Sequence, residues 1–189
     1  DNKLNLINEY NKIKLVPFGE FLPFEKFFKK IGLKKISYGY ESFSVGNDRS
    51  LISLIDKNFN FIPLICYEII YSGNIIPELE NNFNFIVNVS EDGWFGNSIG
   101  PYQHFSHSIF RSIEEGKNIV RSANNGISAY IDPNGRVVEK IESTKKGIIQ
   151  IKNFKIVEKT FFSKFGNKIF FYFLIFYISL LFFIYKKER

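Results

Sequence analysis

Methionine is absent from all 189 residues, cysteine and tryptophan occur once each, and histidine occurs twice. With Cys66 as the single cysteine, whatever that residue does, it is not part of an internal disulfide. A freshly translated chain begins with methionine and this one begins Asp1-Asn2-Lys3, so the sequence is expected to be a processed product or a fragment. His104 and His107 stand at i, i+3 on one helix face, but no third ligand follows at a convincing spacing, and no metal is expected. A basic stripe is also lacking. The net charge is +6, yet the lysines are scattered and interleaved with glutamates, which argues against a nucleic-acid partner. Close to a bilayer the same surplus favours phospholipid head groups, by about 1 kcal/mol per basic residue.

Hydrophobic residues make up 45% of the chain, with 23 Phe and 10 Tyr, which excludes a disordered polypeptide. Part of the Ile, Asn, Lys and Phe excess has the look of drift in an A/T-rich genome. The length suits one domain of roughly 150 residues with a short appendage. That appendage is the clearest physical signal present. Residues 169–185 are 17 consecutive uncharged positions, 13 of them Ile, Leu or Phe, between Lys164/Lys168 and Lys186/Lys187/Arg189. At roughly 0.3–0.6 kcal/mol per central apolar residue, the run favours insertion by about 4–8 kcal/mol. As a helix it reaches about 25 Å, the short end of a bilayer span, and the flanking lysines can snorkel. Only Ser179 and tyrosine hydroxyls interrupt it, too few polar positions for an amphipathic core helix. The basic residues after it favour a cytoplasmic tail with the preceding domain on the far side.

Ahead of the span the pattern alternates between strand and helix. Residues 59–65 read as a buried strand, 68–76 as a short helix and 83–89 as a second buried strand, an α/β order. Pro101 opens a helix that packs through Tyr102, Phe105, Ile109 and Ile113, with Arg111, Glu114 and Glu115 elsewhere and Gly116 stopping it. Residues 119–120, 127–131 and 137–141 are short β segments, the last two joined by the turn Asp132-Pro133-Asn134-Gly135. Residues 15–19 read as an apolar strand closed by a Pro/Gly turn, and 26–58 as irregular loops or an insertion. Neither an internal repeat nor a low-complexity linker interrupts this order.

Two clusters can carry chemistry. Cys66 ends an apolar run and precedes Tyr67-Glu68 at a helix start, so its sulfur can sit on a strand-to-helix elbow. A helix N-terminus lowers a thiol's pKa, and the Tyr67 N–H is then available to an oxyanion. A lone cysteine after an apolar strand is also a common inert core residue, and spacing alone does not separate the two. Lys12 and Glu20 flank residues 15–19; by themselves they are two solvated charges. Trp94-Phe95 is either a lipid-contact loop or a hydrophobic anchor in a Gly-punctuated turn, and Asn124-Asn125-Gly126 reads as a structural turn.

Taken together, the string at residues 10–24, YNKIKLVPFGEFLPF, and ICYE at 65–68 resemble the apolipoprotein N-acyltransferase family, membrane enzymes whose extracytoplasmic domain is of the nitrilase superfamily. The resemblance continues through NVSEDGWFG at 88–96, GPYQH at 100–104 and RSANNG at 121–126, five strings in the family's order. It implies an α-β-β-α sandwich, incomplete at its N-terminal side, over residues 1–160. A juxtamembrane linker at 161–168, the membrane helix at 169–185 and a cytoplasmic tail at 186–189 would follow.

The same resemblance implies that Cys66 is the nucleophile, that Lys12 stabilises the oxyanion, and that Glu20 is a further essential carboxylate. Tyr67 and Glu68 would support the site, while Trp94, Phe95 and Asn124 would belong to a pocket or substrate loop. The implied reaction moves a fatty acyl group from a phospholipid to the N-terminal amine of a diacylated lipoprotein cysteine. It runs through a thioester, in two half-reactions and without a cofactor, at the bacterial inner membrane. The family's general base is a glutamate well upstream of the lysine, and Glu9 is too close to Lys12 to be it. The chain is accordingly expected to be the C-terminal portion of the enzyme, inactive and poorly soluble alone. Glu91 departs from the asparagine more usual in the family. Two alternatives remain: a nitrilase-like amidase that hands its acyl group to water, and a non-catalytic membrane-anchored remnant.

Overall fold

The computed structural model describes residues 5–32, 34, 42–49, 51–54, 59–73, 75 and 83–187. Among these residues, six strands form one mixed sheet in chain order: β1 (Ile52–Leu54), β2 (Phe59–Ile65), β3 (Phe85–Glu91), β4 (Asn118–Asn124), β5 (Ser128–Ile131) and β6 (Val137–Ile141). β2, β3 and β4 run parallel, and antiparallel β1 on one side and β5–β6 on the other complete the sheet. The helices are α1 (Glu25–Lys30), α2 (Gly100–Glu115), α3 (Phe161–Phe165) and α4 (Lys168–Lys187). Short 3₁₀ helices occupy Cys66–Ile70 and Asp92–Phe95.

The central strands alternate strictly between two faces, as period-2 side chains must. On one face Ile62, Leu64, Ile86 and Ile119 are fully enclosed beneath α2, each contributing about 1.5–3 kcal/mol by leaving water. The register places Leu64, Asn88 and Arg121 side by side on that face, so a polar pair lies directly in line with the core. The other face is covered only in part: Phe85, Asn118 and Tyr130 are buried, whereas Val87 and Val120 are half-buried and Val89 is 47% exposed. Phe154 stacks on Phe85 with ring centroids 4.6 Å apart. The described residues thus supply one sheet with a helix on one face, two layers of the four-layered sandwich that the resemblance implied.

Several sequence expectations need correction. The packing face of α2 coincides only in part with the one marked by Tyr102, Phe105, Ile109 and Ile113: Phe105 lies in the core with Ile109 against it, but Tyr102 is 54% and Ile113 47% exposed. The helix buries Pro101, His104, Phe105, Ser108, Arg111, Ser112 and Glu115, with His104 meeting Arg121 of the sheet at 3.2 Å and Arg111 donating to Ile70 O at 2.9 Å. Residues 15–19 form no strand. Pro17 makes only an isolated bridge with Phe21, and Phe18 is left-handed at φ 60°. Within 26–58, read as irregular, α1 and β1 are regular elements. The helix expected over 68–76 is a 3₁₀ helix at Cys66–Ile70, with residue 76 outside the described set.

α4 spans Lys168–Lys187 with mean hydropathy 2.1 and no part buried, long and apolar enough to cross a membrane. Its approach is tied to the domain: the Thr160 hydroxyl donates to the Glu114 carbonyl, and the Asn167 amide donates to Ser72 O at 2.8 Å. Beside that junction Glu115 is enclosed, and burial, aided by the neighbouring Glu114 and opposed by Arg111, raises its carboxyl to about 7. A raised acid stabilises the fold while protonated and loses that contribution as pH climbs from its unfolded value through 7. Glu115→Gln is therefore expected to match the wild type near pH 5. At pH 8 it should be more stable by roughly 2–4 kcal/mol, measured as paired thermal melts across that range.

Candidate active site

The carboxyl ends of the parallel strands β2, β3 and β4 converge on one edge, where α/β sheets present their ligand sites. Cys66 follows β2, Asp92 and Trp94 follow β3, and Asn124 ends β4. Cys66 is left-handed at φ 52°, half-buried, and opens the first turn of its 3₁₀ helix. Non-glycine residues avoid that region unless surrounding contacts impose it. Beside the thiol lies a cavity of about 270 Å³ lined by Val16, Pro17, Gly19, Glu20, Cys66, Tyr67, Glu91, Trp94 and Phe95.

Glu68, with no solvent exposure, explains how the segment carrying Lys12 reaches this edge. Its carboxylate accepts the Tyr10 hydroxyl at 2.9 Å, the Ile13 and Lys14 N–H groups at 3.0 and 3.1 Å, and the Ile65 N–H at 2.8 Å. Arg49 Nη2 completes the shell at 3.5 Å. One carboxylate thus binds the elbow to a segment more than fifty residues earlier. Burial pushes the Tyr10 phenol up to about 12, helped by the adjacent Glu68 charge, so that hydroxyl remains a donor.

On the segment so held, Lys12 Nζ donates to both Glu20 oxygens at 2.7 and 2.8 Å, and Val16 N–H donates to Glu20 at 2.8 Å. The two side chains are 9% and 19% exposed, which rules out the reading of two independently solvated charges. Trp94 is not an inward anchor: its ring is 60% exposed at the cavity rim, while Phe95 turns inward with its ring centroid 5.6 Å from that of His104. Asn124 donates to Glu91, which also accepts Gly93 N–H at 2.7 Å. Glu91 thereby caps the second 3₁₀ helix.

Beneath the elbow lies a polar network that the sequence reading did not assemble. Arg121 donates to Asn88 Oδ1, to Asp92 Oδ2 at 2.8 Å and to Ile127 O at 3.2 Å. Asp92 Oδ1 lies 2.8 Å from His104 Nδ1 and accepts Ser90 Oγ at 2.7 Å. Burial would lift the Asp92 carboxyl, but His104, Arg121 and Ser90 together hold it below the ordinary carboxylate range. Gly126 fits only because it lacks a side chain, since a Cβ there would lie 2.1 Å from Asp92 Oδ2. The clue was available: Asn88 and Arg121 interrupt otherwise apolar strands. His104, weighed beforehand with His107 as a metal ligand, has both ring nitrogens engaged, Nδ1 with Asp92 and Nε2 with the Cys66 carbonyl.

A thiol-bearing elbow at the parallel-strand edge, sharing its cavity with Glu20 of a buried Lys–Glu pair, is an arrangement suited to acyl chemistry. The chain belongs to the carbon–nitrogen hydrolase family, which it matches over residues 1–152. Among its relatives, the apolipoprotein N-acyltransferase of Rhizobium rhizogenes is 39% identical over 149 residues, 79% of this chain and 28% of that protein. That of Rickettsia typhi is 39% identical over 168 residues, 88% of this chain and 33% of its own length. This chain therefore spans about a third or less of these relatives. A crystallised CN-hydrolase superfamily protein from Xanthomonas campestris is similar at TM-score 0.46 and 17% identity, over 56% of this chain and 43% of that one.

Glu68→Gln replaces one accepting oxygen with an amide donor that faces N–H and O–H groups. The expected loss is about 2–3 kcal/mol of stability, with hydrogen exchange accelerating first at the Ile13 and Lys14 amides. Unchanged exchange there would show that the segment is held by something else.

Proposed function

We propose that this chain carries the acyl-transfer centre of a membrane-bound N-acyltransferase. It moves a fatty acyl group from a phospholipid to the N-terminal amine of a diacylated lipoprotein cysteine, as the names of its relatives suggest. The observation that carries the reading is the chain's only thiol, on a left-handed elbow that faces an apolar-walled cavity beside the pinned Lys12–Glu20 pair.

In this reading the Cys66 thiolate attacks the ester carbonyl, and the Lys12 ammonium and Tyr67 N–H steady the oxyanion. The C–O bond breaks, the lysophospholipid leaves with a proton, and Cys66 holds the acyl group as a thioester. The lipoprotein amine then attacks that carbonyl, forming the amide and releasing the thiol. Glu20 orients the Lys12 ammonium, and Glu68 and Tyr67 keep the elbow in place. Trp94 and Phe95 wall the acyl path, and Asn124 steadies the rim through Glu91. The chemistry calls for no cofactor.

Residues 1–160 form the catalytic part, 161–168 the juxtamembrane linker and 169–185 the bilayer span. In a bacterial inner membrane, the basic residues that follow the apolar run at 169–185 favour a cytoplasmic tail at 186–189, with the catalytic part on the extracytoplasmic side. An amidase of the same family would pass the acyl group to water. The apolar cavity walls and the lipid-compatible α4 favour a lipid donor instead.

Native membrane vesicles supplied with acyl-labelled phospholipid and a synthetic diacylated lipopeptide distinguish these readings. Label is expected first on Cys66 as a hydroxylamine-labile thioester and then on the lipopeptide amine. Cys66→Ala should abolish both, and Lys12→Met should slow thioester formation about 100-fold. Undiminished transfer in Cys66→Ala would overturn the proposal, and release of labelled free fatty acid alone would assign hydrolysis.

A further inference from the structure

The Cys66 carbonyl has an unusual environment. It accepts the Asn88 amide at 3.3 Å from β3 and faces His104 Nε2 at 3.2 Å from α2. A carbonyl oxygen only accepts, so it is the Nε2–H form of His104 that donates to it. Asn88 in turn is held by its donation to Leu64 O at 3.2 Å and by the Arg121 guanidinium on its Oδ1. Asp92 stands against both Arg121 Nη2 and His104 Nδ1, each at 2.8 Å. Two donors from two different elements therefore converge on one backbone oxygen, and a buried ion pair orients them both.

The consequence follows from peptide geometry. The Cys66–Tyr67 bond is trans, so its C=O and N–H point in opposite directions across one plane. Pinning the oxygen inward, between β3 and α2, turns the Tyr67 N–H outward to the cavity that Cys66 and Tyr67 both line. In the first turn of a helix that N–H has no intrahelical acceptor. We propose that Asn88 and His104 are positioning residues that aim the Tyr67 N–H at the developing oxyanion by clamping the carbonyl of the nucleophile itself. Neither touches the substrate; both act through the orientation of one peptide plane. The inference rests on Cys66 being the acylated nucleophile.

A merely structural role would affect every reaction of the thiol alike, whereas this clamp affects only reactions that build an oxyanion. Two single-turnover measurements on the full chain in detergent micelles separate the cases, and with one cysteine present both report on Cys66 alone. In acylation by a p-nitrophenyl fatty ester, the thiolate forms an S–C bond to the carbonyl, the C–O bond breaks, and p-nitrophenolate leaves with the electron pair while the thiol proton goes to buffer. Alkylation by iodoacetamide displaces iodide at carbon and passes through no oxyanion.

His104→Asn keeps an amide within reach of Asp92 but is too short for the Cys66 carbonyl. It should lower the acylation rate about tenfold and leave alkylation unchanged. His104→Gln, long enough to restore the donor, should recover most of the acylation rate. Asn88→Asp, which keeps the acceptor for Arg121 but replaces the donor with oxygen, should reproduce the selective loss in a differently perturbed fold. Parallel loss of both reactions, or acylation unchanged in His104→Asn and Asn88→Asp, overturns the clamp. A wild-type chain that is alkylated but takes no acyl group overturns the nucleophile reading and the clamp with it.

Discussion

The Glu68 side chain lies where water does not reach, and it is held there by hydrogen bonds from Tyr10, Ile13, Lys14, Ile65 and Arg49. A buried acid without such partners is costly, so its enclosure goes together with the Tyr10–Lys14 strip lying at the end of β2. That one requirement brings the segment that carries Lys12 and Glu20 to the elbow, where Glu20 accepts the Lys12 ammonium and lines the same cavity as Cys66. The rest of the site is arranged around this single acceptor.

Below the elbow the fold makes an unusual choice for a sheet–helix interface. Three ionisable side chains, Asp92, His104 and Arg121, are enclosed where apolar packing is the norm. Replacing such a cluster with hydrocarbon often stabilises a protein, so its presence has to be explained by the geometry it imposes. Its hydrogen bonds run without a break from β4 through β3 to α2 and end on the Cys66 carbonyl. The Cys66 carbonyl is therefore held by a polar layer inside the core. The left-handed Cys66 backbone is held from both sides, by Glu68 above and by this layer beneath.

At the opposite end of α2 the domain meets its apolar helix. The Thr160–Glu114 and Asn167–Ser72 contacts hold the approach to α4 against the globular part, so the membrane-compatible segment is not on a free tether. Glu115 lies in the same junction with its carboxyl raised to about 7. The helix that presents His104 to the elbow is thus also the one that receives the anchor.

Much of this was legible in the chain itself. The β segments, the turn at residues 132–135, the Pro101 and Gly116 boundaries of α2 and the apolar run at 169–185 all follow from local periodicity and backbone chemistry. The motif strings singled out Cys66, Lys12, Glu20, Tyr67 and Glu68, since those residue types recur in a fixed order. What local pattern could not disclose was orientation. The inward face of α2 carries His104 to Asp92 and Arg121, groups from separate elements that become neighbours only through the sheet and its loops. The segment at 15–19 has the apolar content of a strand but folds back, because the Glu20 carboxylate captures the Val16 N–H. Sequence determined most of the elements and named the candidate side chains, through interactions spanning a few residues. Tertiary structure decided which polar groups meet, because a buried charge selects its partners by distance in space and not along the chain.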